Sequence, residues 1–299
     1  MSHHGTPETH RDPGARNRAP AVFSRAARPA HSETVTGAGG YPLNVRIWQA
    51  PRPAASIVML HGLISHSGWL APIAERLAVG GVTAICPDRR GSGANPPPRG
   101  DAPSATALLE DLDAVLDHFT ENGASPHLAG FCWGAAYAIH YLALRGRRVS
   151  SLALLAPSIV PAAAVRAQSL VTGSSGDATE DPAIAPDAFT RGPAYEQVIV
   201  PDSLRLRKLS PRLYGILAEF AFMIGAKVTR LTVPTLIALA ETDRVVDNAA
   251  TERLFARMRA SPKQLHTVPG DHGVQFDAPD DVAAILHTWI TYQPLSTSP

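Results

Sequence analysis

Short apolar runs alternate along this chain with longer stretches in which apolar residues recur every three or four positions. The short runs have the length of buried β-strands, and the longer stretches have the period of helices that cover a sheet. One helix is predicted to follow the N-cap residue Ser104, because apolar residues then recur at Leu108, Leu112, Val115 and Phe119. The alternation predicts an α/β fold, with a mostly parallel sheet and helices on both faces.

Seven strands and five helices are predicted for the sheet domain. The strands are Leu43–Trp48, expected at an edge of the sheet, then Ser56–Leu60, Val82–Cys86, the run at Leu128, Leu152–Leu155, Pro234–Ala240 and Leu265–Val268. The helices are Trp69–Val79, one after Ser104, one starting at Cys132, Thr251–Met258 and Val282–Ile290.

Residues 157–232 interrupt the alternation and are predicted to form a cap inserted into the sheet domain, which comprises 33–156 and 233–292. Within the cap, Ser210 and the following proline have the pattern of an N-cap and a first helical residue. The apolar residues that follow at helical spacing either pack on the cap's own core or line an apolar acyl pocket; they are Leu213, Leu217, Phe220 and Ile224.

Composition limits the possible functions. The 299 residues are 45% hydrophobic, which is enough for a large core, and the formal net charge of +1 does not favour nucleic acid as a partner. No stretch is long and apolar enough to span a membrane. Residues 1–32 are too polar to pack and lack the apolar core of a secretory signal, so they are expected to be disordered, and residues 293–299 are a tail.

The segment Gly130-Phe131-Cys132-Trp133-Gly134 carries the strongest chemical signal. Glycines two positions before and after a nucleophile allow a strand to turn sharply into a helix, which holds the central side chain at the edge of the sheet. The usual residue there is serine, but here it is cysteine. The second cysteine, Cys86, ends an apolar run, and we expect both thiols to be free in a reducing, cytoplasmic setting.

Three further segments follow other predicted strands. His61 and Leu63 follow one strand, Asp243 lies just beyond another, and His272 follows the last. This order of nucleophile, acid and histidine is the one expected for a catalytic triad on an open sheet. Two other acids compete with Asp243 for the acid's role: Asp247, which could cap the next helix, and Glu241.

Together these segments resemble the α/β-hydrolase superfamily, and within it the monoacylglycerol-lipase-like, or serine-aminopeptidase-like, branch. The resemblance runs from about Leu43 to Tyr292 and is carried by HGLISHSGW (61–69), DRRGSG (88–93), GFCWG (130–134), ETDRVVD (241–247) and PGDHG (269–273). It implies that Cys132 is the nucleophile, His272 its base and later its acid, and Asp243 the residue that orients His272. The backbone N–H groups of Leu63 and Trp133 would form the oxyanion hole. Cysteine in place of serine departs from this branch.

The sulfur atom of Cys132 determines which class of substrate is expected. A thiolate leaves more readily than an alkoxide, so acyl thioesters and activated esters suit Cys132 better than simple alkyl esters. The substrate is therefore expected to be a small acyl compound, free or linked to a carrier protein or coenzyme A. Transfer of the acyl group to water makes a thioesterase or esterase, and transfer to an amine, alcohol or thiol makes an acyltransferase or cyclase.

Several alternatives remain open at the level of sequence. The protein could be a non-catalytic binding protein that kept the fold, or could cleave a carbon–carbon bond or open a lactone in the same pocket. His61 and His66 either brace their loop or touch the substrate, and Arg89 and Arg90 either hold their turn or contact the substrate. No residues have zinc-ligand spacing and no phosphate loop is present, so neither a metal nor a cofactor is expected.

Overall fold

A computed structural model describes residues 30–120, 124–146, 149–163 and 186–291 of the chain. The predicted disordered segment up to residue 29, residues 164–185 of the predicted cap and the tail from residue 292 lie outside the described residues. In the described part, the alternation of strands and helices confirms the expected α/β architecture, with one eight-stranded sheet at its centre.

The sheet is antiparallel at one edge and parallel elsewhere. Its strands are β1 (His31–Thr36), β2 (Pro42–Trp48), β3 (Ala55–Leu60), β4 (Val82–Pro87), β5 (His127–Phe131), β6 (Leu152–Leu155), β7 (Thr235–Ala240) and β8 (Lys263–Val268). They lie in the order β1-β2-β4-β3-β5-β6-β7-β8. The pairings from β4 through β3, β5, β6 and β7 to β8 are all parallel, whereas β2 is antiparallel to both of its neighbours, β1 and β4.

The helices of the described residues cover both faces. They are α1 (Ala71–Val79), α2 (Ala105–His118), α3 (Trp133–Arg145), α4 (Pro211–Ala221), α5 (Ile224–Arg230), α6 (Asn248–Ala256), α7 (Val274–Asp277) and α8 (Pro279–Thr291). On β3, Val58 faces a core shared with α2 and α3, whereas Ile57 and Met59 face a second core shared with α1 and α8. Burial on both faces explains why the central strands are continuous apolar runs.

Three helices begin at N-cap residues that the sequence predicts. Ser104 Oγ accepts from the Ala107 N–H, and Ser210 Oγ accepts from the Leu213 N–H. Asp247 Oδ1 accepts from the Ala250 N–H at the start of α6. Each cap satisfies one of the backbone donors that a helix leaves free at its N-terminus.

Three predictions about the elements need correction. Residues 31 and 32 belong to β1, so the disordered segment predicted up to residue 32 extends too far. β2 is not an edge strand, because β1 pairs with its outer side. The predicted apolar stripe from Leu213 to Ile224 does not form one helix: α4 ends at Ala221, and Ile224 begins α5 after Met223 adopts a φ of 52°.

Close backbone packing around the β5–α3 turn makes Gly130 irreplaceable. A Cβ atom at Gly130 would overlap the backbone of Gly134 and Ala135, whereas one at Gly215 in α4 would meet open space. We expect Gly130→Ala to lower the free energy of unfolding by about 2 kcal/mol or more. Gly215→Ala is the matched control and should raise it by roughly 0.5–1 kcal/mol, because glycine is a poor helix former. Urea unfolding measures both, and equal effects would contradict this account of the turn.

Candidate active site

Cys132 lies at the turn between β5 and α3, at the carboxyl edge of the sheet. Its backbone has a φ of 54° and a ψ of −120°, a strained conformation for a residue with a side chain. The turn is held by a 3.0 Å hydrogen bond from the Cys132 N–H to the Leu155 carbonyl, and the Cys132 carbonyl accepts from Ala135 and Ser158. The residue is 6% exposed.

His272 and Asp243 form a buried pair. His272 Nδ1 and Asp243 Oδ2 are 2.8 Å apart, and both side chains are fully buried. The other oxygen of Asp243 accepts from the backbone N–H groups of Val245 and Val246, at 2.8 and 3.0 Å. Of the two competing acids, Asp247 caps α6 and the side chain of Glu241 is exposed. The carboxylate that contacts His272 is therefore that of Asp243.

Nε2, the second ring nitrogen of His272, is available to interact with Cys132. His272 Nε2 is buried and makes no hydrogen bond to another described residue. Burial lowers the pKa of this imidazole, but the negative charges of Cys132 and Asp243 and the bond to Asp243 outweigh it and raise the pKa to about 10. The raised pKa therefore favours the imidazolium form of His272 at neutral pH.

The sequence assigns two backbone N–H groups to an oxyanion hole at Cys132. One belongs to Trp133, the first residue of α3, where helical N–H groups have no acceptor within the helix. The other belongs to Leu63. Arg89 donates to the carbonyls of Gly62 and Leu63, at 3.3 and 2.8 Å. Because a peptide N–H points opposite to its carbonyl, fixing the Gly62 carbonyl also fixes the direction of the Leu63 N–H.

Arg89 braces this loop from inside the protein. Its guanidinium is buried, lies 5.0 Å from the ring of Trp133 and also donates to Ser92. Burial lowers the pKa of Arg89 to about 10, which leaves it charged at neutral pH. Arg90 instead forms a buried ion pair with Asp111. Both arginines hold the structure around their turn.

The two histidines of the same loop have both ring nitrogens engaged. His61 Nδ1 contacts the Gly62 carbonyl at 2.8 Å, and His61 Nε2 accepts from the Arg89 N–H. Burial, reinforced by Arg89, lowers the pKa of His61 to about 3, so this ring is neutral. His66 Nδ1 accepts from Gly68, and its Nε2 contacts Asp202 at 2.9 Å. The structure places both histidines in loop-bracing positions.

The apolar residues predicted in the cap lie away from the cavity at Cys132. Leu213 and Phe220 are fully buried, and Leu217 packs against the same core cluster. Phe220 stacks on Trp133, with ring centroids 5.3 Å apart and planes 4° apart. It also stacks on His140. Phe220 thus supports the Trp133 side of the site through ring packing.

The region from 186 to 206 covers the site. Asp202 accepts from Trp69 Nε1 at 2.5 Å as well as from His66, and the Leu206 N–H donates to the Ile64 carbonyl at 2.9 Å. These bonds fasten the covering segment to the loop that carries Leu63.

The same segment is fastened to the histidine loop. Arg191 makes a bidentate pair with Asp271, at 2.9 and 2.8 Å, and the Gly273 N–H donates to the Phe189 carbonyl. The Phe189 ring lies edge-on to His272, with centroids 5.3 Å apart. The ring of His272 is therefore shielded from water, which strengthens its interactions with Asp243 and Cys132.

A small cavity lies beside Cys132. Its lining includes Ser65, Phe131, Leu155, Phe189, His272 and Gln275. Sequence reasoning did not single out Ser65, Phe189 or Gln275: Ser65 lies inside a motif attributed to the oxyanion loop, and no sequence signal marks the other two. The described residues hold no group of three or more histidine, cysteine or acidic side chains placed to bind a metal ion. None of the described helices has the length and apolar character to cross a membrane.

Comparison with known proteins identifies the family. Residues 51–278 match the hydrolase family described as serine aminopeptidase, S33. The chain is 24% identical over 281 residues to a monoacylglycerol lipase of Mycolicibacterium smegmatis, covering 89% of this chain and 98% of that protein. It is also 25% identical over 224 residues, 72% of this chain, to an uncharacterized abhydrolase domain-containing protein of Dictyostelium discoideum, of which it spans 24% of the length.

Solved structures share the fold. A soluble variant of the Saccharomyces cerevisiae monoglyceride lipase, in complex with a substrate analog, superposes with a TM-score of 0.75 at 15% identity, covering 91% of this chain and 97% of that one. The thioesterase domain from the curacin biosynthetic pathway superposes with a TM-score of 0.62 at 17% identity, covering 87% and 99%. These findings confirm the α/β-hydrolase fold and the resemblance to the monoacylglycerol-lipase-like branch.

Proposed function

The chain belongs to the serine aminopeptidase, S33 family and is a hydrolase of the α/β-hydrolase type, and from this premise we propose an acyl-transfer enzyme that works through an acyl-Cys132 intermediate. One observation carries the proposal. Cys132 occupies the strained elbow, and the ring of His272, bonded through Nδ1 to Asp243, has its other nitrogen free beside Cys132. In this arrangement a thiolate is the nucleophile, and the imidazolium donates a proton to the leaving group.

In the first half of the reaction, the Cys132 thiolate attacks the acyl carbonyl and forms a new carbon–sulfur bond. The N–H groups of Leu63 and Trp133 stabilise the oxyanion. Collapse breaks the bond to the leaving group, which takes the proton from His272 Nε2. The products are the acyl-Cys132 enzyme and the leaving thiol or alcohol, and His272 is left neutral.

In the second half, neutral His272 accepts a proton from water as the water oxygen attacks the acyl carbonyl. Collapse of this second intermediate breaks the carbon–sulfur bond, which releases the free acid and restores the thiolate–imidazolium pair. Asp243 holds His272 in the tautomer that presents Nε2 to the reaction in both halves.

The substrate class follows from the sulfur and from the relatives. A sulfur nucleophile competes well with the leaving group of a thioester or an activated ester, and poorly with an alkoxide. A relative named as a monoacylglycerol lipase and a fold neighbour named as a thioesterase domain support ester and thioester substrates. We therefore propose hydrolysis of a small acyl thioester or activated ester, free or carried by coenzyme A or a carrier protein.

Acyl transfer to an amine, alcohol or thiol is the second candidate. The observation that favours it is the closure of the site: the segment 186–206 is fastened to both loops of the site, and Cys132 is 6% exposed. A covered thioester intermediate meets less water, which gives a bound acceptor time to react.

A reducing, cytoplasmic setting fits both candidates. Cys132 and Cys86 are free thiols in the structure. The proposed nucleophile must remain a thiolate, and reducing compartments preserve free thiols.

Product analysis distinguishes the two candidates. The protein is incubated with acyl thioesters of several chain lengths, alone and with a primary amine, and the products are identified by mass. We expect free acid to form in both conditions, with Cys132→Ala as the inactive control. Amide as the main product would favour the acyltransferase, and no release of thiol from any thioester would contradict both.

A further inference from the structure

Arg89 is a buried arginine that forms no ion pair with a carboxylate of the described residues. It is 7% exposed. The neighbouring Arg90, by contrast, donates to both carboxylate oxygens of Asp111, at 2.8 and 2.6 Å. The carboxylate of Asp88, which precedes Arg89, accepts instead from two backbone N–H groups and an asparagine side chain. Burying a charge without an opposite charge is costly, so the hydrogen bonds that Arg89 makes must offset that cost.

Two of the three acceptors of the Arg89 side chain among the described residues are carbonyls of the loop at Cys132. Nη1 donates to the Gly62 carbonyl at 3.3 Å, and Nη2 donates to the Leu63 carbonyl at 2.8 Å. Gly62 lies directly against the nucleophile, because a Cβ atom there would be 3.2 Å from Cys132 Cβ and 3.7 Å from its Sγ. Arg89 therefore holds the peptide groups that lie beside the sulfur.

His61 supports the same arrangement. Its Nε2 accepts from the Arg89 backbone N–H at 3.0 Å, so in the neutral ring Nδ1 carries the proton and donates to the Gly62 carbonyl at 2.8 Å. The Gly62 carbonyl thus has two donors, and both come from groups that Arg89 supplies or orients. The direction of the Leu63 N–H, which shares a peptide group with that carbonyl, follows from these bonds.

The guanidinium of Arg89 also contacts the helix side of the proposed oxyanion hole. It lies over the ring of Trp133, 5.0 Å from the ring centroid. Phe220 stacks on the same ring, with centroids 5.3 Å apart. Trp133 directly follows Cys132 and is the first residue of α3. One side chain therefore contacts both residues whose N–H groups are assigned to the oxyanion hole.

We propose that Arg89 is a positioning residue of the oxyanion hole. Its planar fork holds the peptide groups of Gly62 and Leu63, and its flat face packs on Trp133, so the two N–H donors keep the separation that an oxyanion requires. It acts through these groups rather than on the substrate. The inference rests on the proposed function, because it assigns a residue to the oxyanion hole in which acyl-Cys132 forms.

The test replaces Arg89 by lysine, which keeps the charge but cannot bind two carbonyls with a planar fork. In a single turnover of the butyryl thioester of N-acetylcysteamine, acylation of Cys132 should slow by roughly tenfold to 10²-fold, since a misplaced donor costs less than a lost one. The substrate concentration for half-maximal rate should change by less than about twofold, because the oxyanion hole acts on the transition state.

Alkylation of Cys132 by iodoacetamide separates positioning from damage to the site. This reaction forms no oxyanion, so its rate in Arg89→Lys should stay within about twofold of the wild-type rate. If the lysine variant does not fold, Arg89→Met replaces it, and acylation should again fall more than alkylation.

Arg90→Lys is the matched control. Arg90 is also buried and also loses its planar fork in this variant, but it binds Asp111 and the Ala38 carbonyl rather than the loop at Cys132. Its acylation rate should therefore stay at the wild-type value.

Two results would overturn the inference. One is a wild-type acylation rate in Arg89→Lys. The other is an equal slowing of acylation and alkylation, since Arg89 would then serve only the folding of its loop. Both results leave the proposed function standing, whereas a wild-type protein whose Cys132 is acylated by no thioester would refute the proposed function itself.

Discussion

Replacing Cys132 by alanine is expected to abolish thioester turnover, with kcat/KM falling on the order of 10³-fold or more. The covalent intermediate cannot form without the sulfur, and the oxyanion hole alone provides only a small part of the rate. Steady-state release of thiol measures the effect. Cys132→Ser should also be far slower on thioesters, because a serine hydroxyl must lose its proton during attack.

Cys86→Ala is the matched control for this experiment. Cys86 is a completely buried residue of β4, and burial raises the pKa of its thiol, so it is a poor nucleophile. The variant should keep wild-type activity and rapid labelling by iodoacetamide, whereas Cys132→Ala should lose both. The assignment of the nucleophile would be wrong if Cys132→Ala kept its activity. Equal turnover by Cys132→Ser would refute the argument from sulfur.

Replacing Asp243 by asparagine is expected to lower kcat by roughly 10²–10⁴-fold. The amide can donate to His272 Nδ1 and thus favour the tautomer in which Nε2 already carries the proton and cannot accept one from water. The change also removes one of the two negative charges that raise the pKa of His272 to about 10. A raised pKa means that the imidazolium persists at neutral pH and is lost as the pH rises through about 10. In the variant this alkaline loss of kcat/KM should move to lower pH.

Asp247→Asn is the control for this variant. Asp247 caps α6 through Ala250, and asparagine is an equally good N-cap, so both activity and stability should be close to wild type. A full pH profile of kcat/KM for both variants tests the assignment. An Asp243→Asn enzyme with the wild-type alkaline limb would show that this carboxylate does not tune His272.

The sequence predicted most of the sheet because the central strands are buried on both faces. Val58 and its neighbours Ile57 and Met59 contact different cores, so the whole run must be apolar. The site was predictable for a related reason. The elbow needs Gly130 and Gly134 where backbones meet, and the acid and histidine follow strands whose ends share one edge of the sheet.

Other features leave no such pattern. In β1 only Val35 is buried, so this edge strand is almost entirely polar and exposed. The break between α4 and α5 falls at Met223, without the glycine or proline that marks most helix ends. The place of Gln275 in the cavity depends on how the loop after His272 folds back over Cys132. These features are set by tertiary packing.

The most direct test of the central claim is the mass of the intact protein after brief exposure to an acyl thioester and an acid quench. The account predicts a covalent gain equal to the acyl group, located on the peptide that contains Cys132 and present in Cys86→Ala but absent from Cys132→Ala. An adduct on another residue, or turnover with no adduct at any time after mixing, would contradict it.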